Sequence, residues 1–190
     1  GSRMPELLAN AKRLLASLGS VSWGEPCTAL LACGQQPGAS SWAALLRDSG
    51  LVERPLSAEA AAIGARACWG QGPLELLLGP GRFSHWASWA EVALATAGTA
   101  TEQTVALGIP ALSLPGAGPQ FTRNFARRQS RLLGGAVQPC SHGEQLAERL
   151  ELLLRSAAMR QELGGQGRRR MGPAGGSERL AALVAQRLLE

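Results

Sequence analysis

The chain has 190 residues, 45% of them hydrophobic and 17% charged, which fits a packed domain and excludes a disordered chain. Its net charge of +5 comes almost wholly from arginine, because Lys12 is the one lysine. Arginine binds phosphate through its planar fork, so this charge favours an anionic ligand, although a genome that replaces lysine by arginine throughout would give the same bias. No apolar run approaches the roughly 20 residues of a membrane span and no signal peptide is recognisable, so we expect a cytoplasmic protein.

Helical and strand patterns alternate along the chain. Apolar residues at the i, i+3, i+4 spacing predict helices over residues 5–18, 40–49, 83–89, 101–107, 121–133, 143–163 and 178–189. Short apolar runs predict strands over residues 27–33, 74–78, 91–95, 111–114 and 136–138. Residues 51–69 remain open, since 58–67 has a helical composition whereas 67–69 could begin a strand.

This alternation predicts an α/β fold, a Rossmann-like doubly wound parallel sheet with right-handed crossovers. We expect residues 1–163 to form the sheet domain and residues 164–176, rich in glycine and arginine, to form a linker. Residues 177–190 are expected to form a C-terminal helix with Ser177 as its cap.

Cysteines and histidines form no metal-binding pattern. The cysteines, at positions 27, 33, 68 and 140, contain no CxxC pair and share no ligand spacing with His85 or His142. We expect reduced thiols, with neither a zinc site nor a disulfide framework. Neither histidine has a carboxylate at a spacing suited to general-base work, so both are expected at the surface or at a helix cap.

A strand-to-helix junction carries the strongest binding signal. Gly98-Thr99-Ala100-Thr101 follows a predicted strand and opens a predicted helix. Ligands of open parallel sheets bind beyond the carboxyl ends of the strands, where unpaired N–H groups and the helix dipole suit a diphosphate. For these four residues alone, a threonine-capped turn without a ligand is the alternative interpretation.

The surrounding sequence resembles a known family. Residues 97–116 (AGTATEQTVALGIPALSLPG) are similar to the donor-site signature of lipid-A-disaccharide synthases and, more distantly, to the N-acetylglucosaminyltransferase of peptidoglycan synthesis. Gly1-Ser2-Arg3 with Pro5-Glu6 resembles the PGSR…E motif of the same enzymes, although a cloning remnant would also explain Gly1-Ser2. Residues 118–121 and 170–177 are most similar to a cyanobacterial branch of the family.

The resemblance implies the C-terminal, donor-binding domain of a GT-B glycosyltransferase. The donor would be a UDP-sugar of the UDP-N-acetylglucosamine type, and the hexosyl acceptor a lipid or a sugar. No metal or other cofactor is implied. The general base and the acceptor site of such enzymes belong to the N-terminal domain, for which 190 residues leave no room. We therefore assign no catalytic residue and expect the chain alone to be inactive.

The same resemblance implies partners. They are the UDP-sugar donor, the N-terminal GT-B domain, a lipid acceptor and a second copy of the chain. With a lipid acceptor, the protein would lie peripherally on the inner face of a membrane. A nucleic-acid partner is not expected, because the cluster Arg168-Arg169-Arg170 has no interleaved aromatic residues. Relatives also place a central strand immediately before Gly1, so the sheet is expected to lack its first strand and to have the gap filled by another segment or chain.

By residue-to-residue carry-over, the resemblance implies these donor contacts: Ser2, Arg3, Gly98, Thr99, Ala100, Thr101, Gln103, Gln120 and Asn124. Gln103 stands where the family has a ribose-binding carboxylate, and a neutral amide binds a hydroxyl more weakly. Glu102 would point about 100° round the helix and is a poor replacement. Gln103 is thus the best argument for a rival reading, a non-catalytic α/β nucleotide-binding or regulatory module. A UDP-sugar epimerase ranks last, because its catalytic carboxylates and histidines are absent.

Overall fold

A computed structural model describes residues 4–116, 118–119 and 121–189 as an α/β fold. Its strands are β1 (Cys27–Cys33), β2 (Val52–Arg54), β3 (Ala67–Gln71), β4 (Leu74–Pro80), β5 (Ala93–Ala95), β6 (Ala111–Ser113) and β7 (Val137–Pro139). Its helices are α1 (Glu6–Gly19), α2 (Ala39–Asp48), α3 (Ala58–Ala62), α4 (Phe83–Trp86), α5 (Thr99–Ala106), α6 (Arg123–Leu132), α7 (Gly143–Arg155), α8 (Ala157–Met171) and α9 (Gly176–Leu189). A 3₁₀ turn (Ala87–Trp89) follows α4.

The first sheet is mixed and has the strand order β1-β4-β3-β2. Strand β1 is parallel to β4, whereas β4, β3 and β2 are antiparallel neighbours. A two-residue turn joins β3 to β4, and Gly72 in this turn has φ of 55°, the left-handed conformation that tight hairpins require. The prediction of a wholly parallel sheet was therefore wrong for β2 and β3, because β2 pairs antiparallel with β3 and this turn makes β3 antiparallel to β4.

The second sheet is parallel throughout, with the order β5-β6-β7. Helix α5 connects β5 to β6, and α6 connects β6 to β7, which is the βαβ arrangement that the alternating pattern predicts. Within the described residues, β1 and β5 are not paired with each other, so the predicted single sheet is observed as two. The result is an α/β fold compatible with a Rossmann-like arrangement.

The main hydrophobic core includes helices α1, α2 and α7, the first sheet, and Leu112 and Leu114 from β6 and the residues after it. Leu46 and Leu146 are fully buried in it, and Leu15 and Leu76 are nearly so. Replacing one such leucine by alanine costs about 2–5 kcal/mol in typical cores. A smaller cluster on the opposite face of the first sheet packs Trp86 against Leu30 and Leu77.

The predicted helix over residues 143–163 is two helices, and the predicted linker is largely helical. Helix α7 ends at Arg155, and the hydroxyl of Ser156 then accepts a hydrogen bond from the Met159 N–H at 3.3 Å to begin α8. Helix α8 continues to Met171, so only residues 172–175 connect it to α9. Glycine and arginine at residues 164–170 resembled a linker by composition, but they serve helix packing.

Glycine permits that packing because α8 lies directly on α5. A Cβ atom on Gly164 would collide with the carbonyl of Gly108, and one on Gly167 would lie 2.9 Å from Cβ of Ala136. The Arg168 guanidinium donates two hydrogen bonds, at 2.9 and 3.2 Å, to the carbonyl oxygen of Leu107 at the end of α5. The positive charge of Arg168 also interacts favourably with the negative, C-terminal end of the α5 helix dipole.

None of the helices in the described ranges is both long and apolar enough to cross a membrane. Residues 4–116, 118–119 and 121–189 contain no group of three or more histidine, cysteine or acidic side chains placed to hold a metal ion.

Candidate functional site

The site centres on the turn between β5 and α5. Strand β5 ends at Ala95, and Gly98 is the N-cap of α5 with φ of −85° and ψ of −87°. No described side chain caps this helix, so the N–H groups of its first turn are open to a ligand. The turn lies at the carboxyl end of a parallel strand, as the sequence predicts.

Two threonines support this turn from inside. The buried Thr101 hydroxyl donates to the carbonyl of Ala97 at 2.7 Å, and the Thr104 hydroxyl donates to the carbonyl of Ala100 at 2.9 Å. The hydrogen of the Thr101 hydroxyl is therefore used by the backbone. Of the predicted donor contacts, Thr101 is positioned to hold the turn in shape.

Two other predicted contacts on α5 face outward, whereas Ala100 is half-buried. Thr99 and Gln103 are exposed and four residues apart, so they lie on one face of the helix. Glu102 is half-buried on a neighbouring face. A molecule bound at the start of α5 and extending along this face would meet the amide of Gln103. Asn124 is exposed at the start of α6.

Helix α6 contributes a residue that sequence analysis missed. The Gln129 side chain is 3% exposed, and its Nε2 donates a hydrogen bond to the carbonyl of Gly98 at 3.3 Å. Its Oε1 is buried and has no hydrogen-bond partner among the described residues. Ala126, Gln129 and Leu133 lie on the buried face of α6 and the residue after it, at i, i+3, i+7 spacing. A polar residue among these buried apolar positions was the sequence signal that could have identified Gln129.

A second contact joins α6 to the turn. A Cβ atom on Gly98 would lie 3.8 Å from the Phe125 ring, and Phe125 stacks at 5.2 Å on Phe121 with the rings tilted by 56°. The N–H of Gly116 donates to the carbonyl of Phe121 at 2.6 Å. The loop after β6 is thereby held beside the turn.

The start of α1 borders the same loop. The Arg13 guanidinium donates to the carbonyl of Pro115, and a Cβ atom on Gly116 would lie 3.3 Å from Nδ2 of Asn10. The predicted contacts Ser2, Arg3 and Gln120 lie outside the described residues.

The exposed side of α6 is strongly basic. Arg123, Arg127, Arg128 and Arg131 are exposed, and the helix contains no acidic residue. None of these arginines forms an ion pair with a described residue. Cations without an ion-pair partner attract an anion.

The reactive side chains do not form a nucleophilic site. Burial raises the pKa of the thiols of Cys27, Cys33, Cys68 and Cys140, and a nearby carboxylate adds to this for Cys27 and Cys68. Raised thiol pKa values disfavour the nucleophilic thiolate. Nδ1 of His142 accepts a hydrogen bond from the Gln145 N–H at 3.3 Å as the cap of α7, which confirms a capping position for this histidine. The Gly98 turn, with its open N–H groups and the basic helix α6, is instead suited to holding an anion.

Comparisons of the chain with protein-family models, with curated proteins and with solved structures find no significant match.

Proposed function

We propose that the chain is a donor-binding domain of a glycosyltransferase, which binds a nucleoside diphosphate sugar at the Gly98 turn. The enzyme would be of the GT-B type and similar to lipid-A-disaccharide synthase, with a UDP-sugar as donor. The acceptor site and the general base would belong to a separate domain. The chain alone would then bind the donor without transferring the sugar.

The uncapped turn at Gly98 carries this proposal. Its N-cap has no side chain, so phosphate oxygens can approach the first N–H groups of α5 directly. The buried Gln129 Oε1 next to it is an acceptor without a partner in the described chain, and such groups ordinarily find one. A bound ligand or water that donates to this oxygen would satisfy it.

Charge and shape also support the proposal. The exposed arginines of α6 favour an anionic ligand such as a diphosphate, and Gln103 lies about one helical turn from Thr99 on the outward face of α5. A ribose placed beyond the diphosphate would meet the Gln103 amide, which can both donate to and accept from a hydroxyl. The amide lacks charge, so we expect moderate affinity for the nucleotide.

Titration calorimetry with UDP, UDP-N-acetylglucosamine and GDP tests this proposal. We expect binding of both uridine nucleotides and weaker binding of GDP. If no nucleotide binds more tightly than about 1 mM, or about 4 kcal/mol, the chain has no donor site.

A matched pair of glycine variants locates the site. Gly98 and Gly38 are both N-caps, of α5 and α2, and both have negative φ, so alanine fits either backbone. Each change should lower stability by up to about 1 kcal/mol, because alanine is a poor N-cap. Only Gly98→Ala should weaken UDP binding, since its methyl group stands where phosphate would approach. Equal affinity of the two variants would place the nucleotide elsewhere.

The rival function, a nucleotide-binding module without transfer activity, is favoured by Gln103 in place of a carboxylate. It predicts the same binding at Gly98. The two functions differ once the chain is joined to its acceptor domain, where the rival predicts no sugar transfer from a bound donor.

A further inference from the structure

Phe125 presents an aromatic ring beside the Gly98 turn. This side chain is 38% exposed, on a helix whose other exposed side chains are mainly arginines. A Cβ atom on Gly98 would lie 3.8 Å from Cζ of Phe125, so the outer end of the ring borders the N-cap of α5. The candidate anion site therefore has an apolar surface at its edge.

The backbone of Phe125 is fixed by the cap of its own helix. Thr122 is the N-cap of α6, and its hydroxyl accepts a hydrogen bond from the Phe125 N–H at 3.2 Å. This cap satisfies an N–H group that would otherwise have no partner within the helix. Phe125 thus lies in the first turn of α6 at a defined place.

The ring of Phe125 is held by Phe121. Phe121 is buried, and the two ring centroids lie 5.2 Å apart with the planes tilted by 56°, an arrangement that aromatic pairs favour. Phe121 covers one side of the Phe125 ring, so the exposed part of the ring is on the other side. A ring that is already fixed loses little conformational entropy when a ligand packs on it.

The chemistry of a phenyl ring restricts which part of a ligand can pack on it. The side chain of Phe125 has no hydrogen-bond donor or acceptor, and the face of its ring carries a negative partial charge. Phosphate oxygens are repelled by this face, whereas polarised C–H groups are attracted to it. A hexose has faces of C–H groups with its hydroxyls directed outward round the ring, so it matches such a surface.

The position of Phe125 along the ligand separates the sugar from the nucleoside. In the donor site proposed above, the diphosphate lies at Gly98 and the ribose lies beside Gln103. Gln103 is five residues beyond Gly98, about 7.5 Å along the axis of α5. Phe125 instead borders Gly98 from the neighbouring helix. The group nearest to Phe125 is therefore the one on the other side of the diphosphate, which is the sugar.

We propose that the exposed side of the Phe125 ring packs against a C–H face of the donor's hexose while the diphosphate lies at the Gly98 turn. This inference rests on the proposed function and names a residue that recognises the sugar in that site. Phe125 then contributes to the binding of a nucleotide sugar and not to the binding of the nucleotide alone.

Calorimetry with UDP and UDP-N-acetylglucosamine on three variants tests the inference. Phe125→Leu keeps an apolar side chain but removes the ring, so the Kd for UDP-N-acetylglucosamine should rise about threefold to tenfold. The Kd for UDP should change less than about twofold, since UDP has no hexose. Phe125→Trp retains a ring and should retain the affinity for both ligands.

Leu132→Ala is the matched control. Leu132 is also an exposed apolar residue of α6, and it lies seven positions after Phe125, on the same side of the helix and about two turns away from Gly98. Neither Kd should change in this variant.

Saturation-transfer NMR on the unchanged chain gives a measurement that needs no variant to fold. Irradiation of the aromatic protons should reach the C–H protons of the N-acetylglucosamine ring. Phe125→Leu should remove most of this transfer.

The outcomes distinguish this inference from the donor site itself. If neither ligand binds to the unchanged chain, the donor site and the role of Phe125 both fall. If both ligands bind and Phe125→Leu changes neither Kd, the donor site stands and Phe125 does not contact the sugar. Equal weakening of both ligands, or transfer to the uracil and ribose protons alone, would place the nucleoside on the ring and overturn the inference.

Discussion

The side-chain amide of Gln129 holds the carbonyl of Gly98 through a hydrogen bond of 3.3 Å between residues 31 positions apart. This bond ties α6 to the N-cap of α5. It orients the turn whose N–H groups form the candidate anion site.

Replacing Gln129 by leucine should separate its role in shaping the Gly98 turn from its contribution to the stability of the fold. The change removes the bond to Gly98 and also removes the unpartnered Oε1, so the free energy of unfolding should change by no more than about 1 kcal/mol. The turn loses its anchor, and the affinity for UDP should fall about threefold to tenfold. Urea unfolding and calorimetry on one preparation measure both. A large loss of stability with unchanged UDP affinity of the folded protein would assign Gln129 to the core alone.

Replacing Gln103 by glutamate should strengthen nucleotide binding. A carboxylate accepts a hydrogen bond from a ribose hydroxyl roughly twice as strongly as an amide does, so the Kd for UDP should fall about threefold to tenfold. Gln103 is exposed, so neither this change nor Gln103→Ala should alter stability by more than about 0.5 kcal/mol. Gln103→Ala should weaken binding. Equal affinities of all three forms would remove this residue from the site.

Neighbouring glycines of α8 should respond in opposite directions to alanine. At Gly164 the added methyl group would collide with the Gly108 carbonyl, so Gly164→Ala should lower stability by about 2 kcal/mol or more. Gly165 meets only the end of the Arg169 side chain, at 3.6 Å, and alanine there should raise stability by about 0.5–1 kcal/mol. Thermal and urea unfolding measure both. A gain at both positions would mean that α8 does not pack against α5.

Stability should fall as the pH rises above about 9. Burial raises the pKa of all four thiols above the ordinary value of 9.0, so the thiols of the unfolded chain ionise first. The free energy of unfolding is constant below this range and declines until the folded thiols ionise as well. The chain has no tyrosine and Lys12 as its one lysine, so few other groups titrate there.

Urea unfolding between pH 7 and pH 10 measures this decline. Cys140→Ala should make the slope shallower, because Cys140 is buried and its thiol contributes to it. The neighbouring change Ser141→Ala, at an exposed residue, is the control. An identical slope in both variants would show that this thiol does not contribute.

The second sheet and its turn could be predicted from sequence because glycines mark them. Gly98 and Gly108 bound α5, and the apolar runs on either side are short and unbroken. The antiparallel pairing of β2 with β3 could not, since β2 has three residues, too few for any periodicity. The direction of β3 relative to β4 depends on the turn at Gly72.

Other features depend on tertiary packing that local sequence does not encode. The helix α8 contains three glycines in fifteen residues, and each lowers its intrinsic helix propensity by about 1 kcal/mol relative to alanine. Gln129 differs from an ordinary polar helix residue only by which carbonyl it reaches, 31 residues earlier in the chain. The position of Gln129 on the buried face of α6 was detectable from the sequence, but its hydrogen-bond partner was not.

The glycine content of α8 bears on local stability. An isolated short helix is marginal in water and glycine lowers its propensity further, so α8 depends on the surface of α5 on which it docks. Arg168 of α8 in turn fixes the Leu107 end of α5. Local melting of α8 would loosen the helix whose opposite end forms the Gly98 turn, so α8 is coupled through α5 to the candidate anion site.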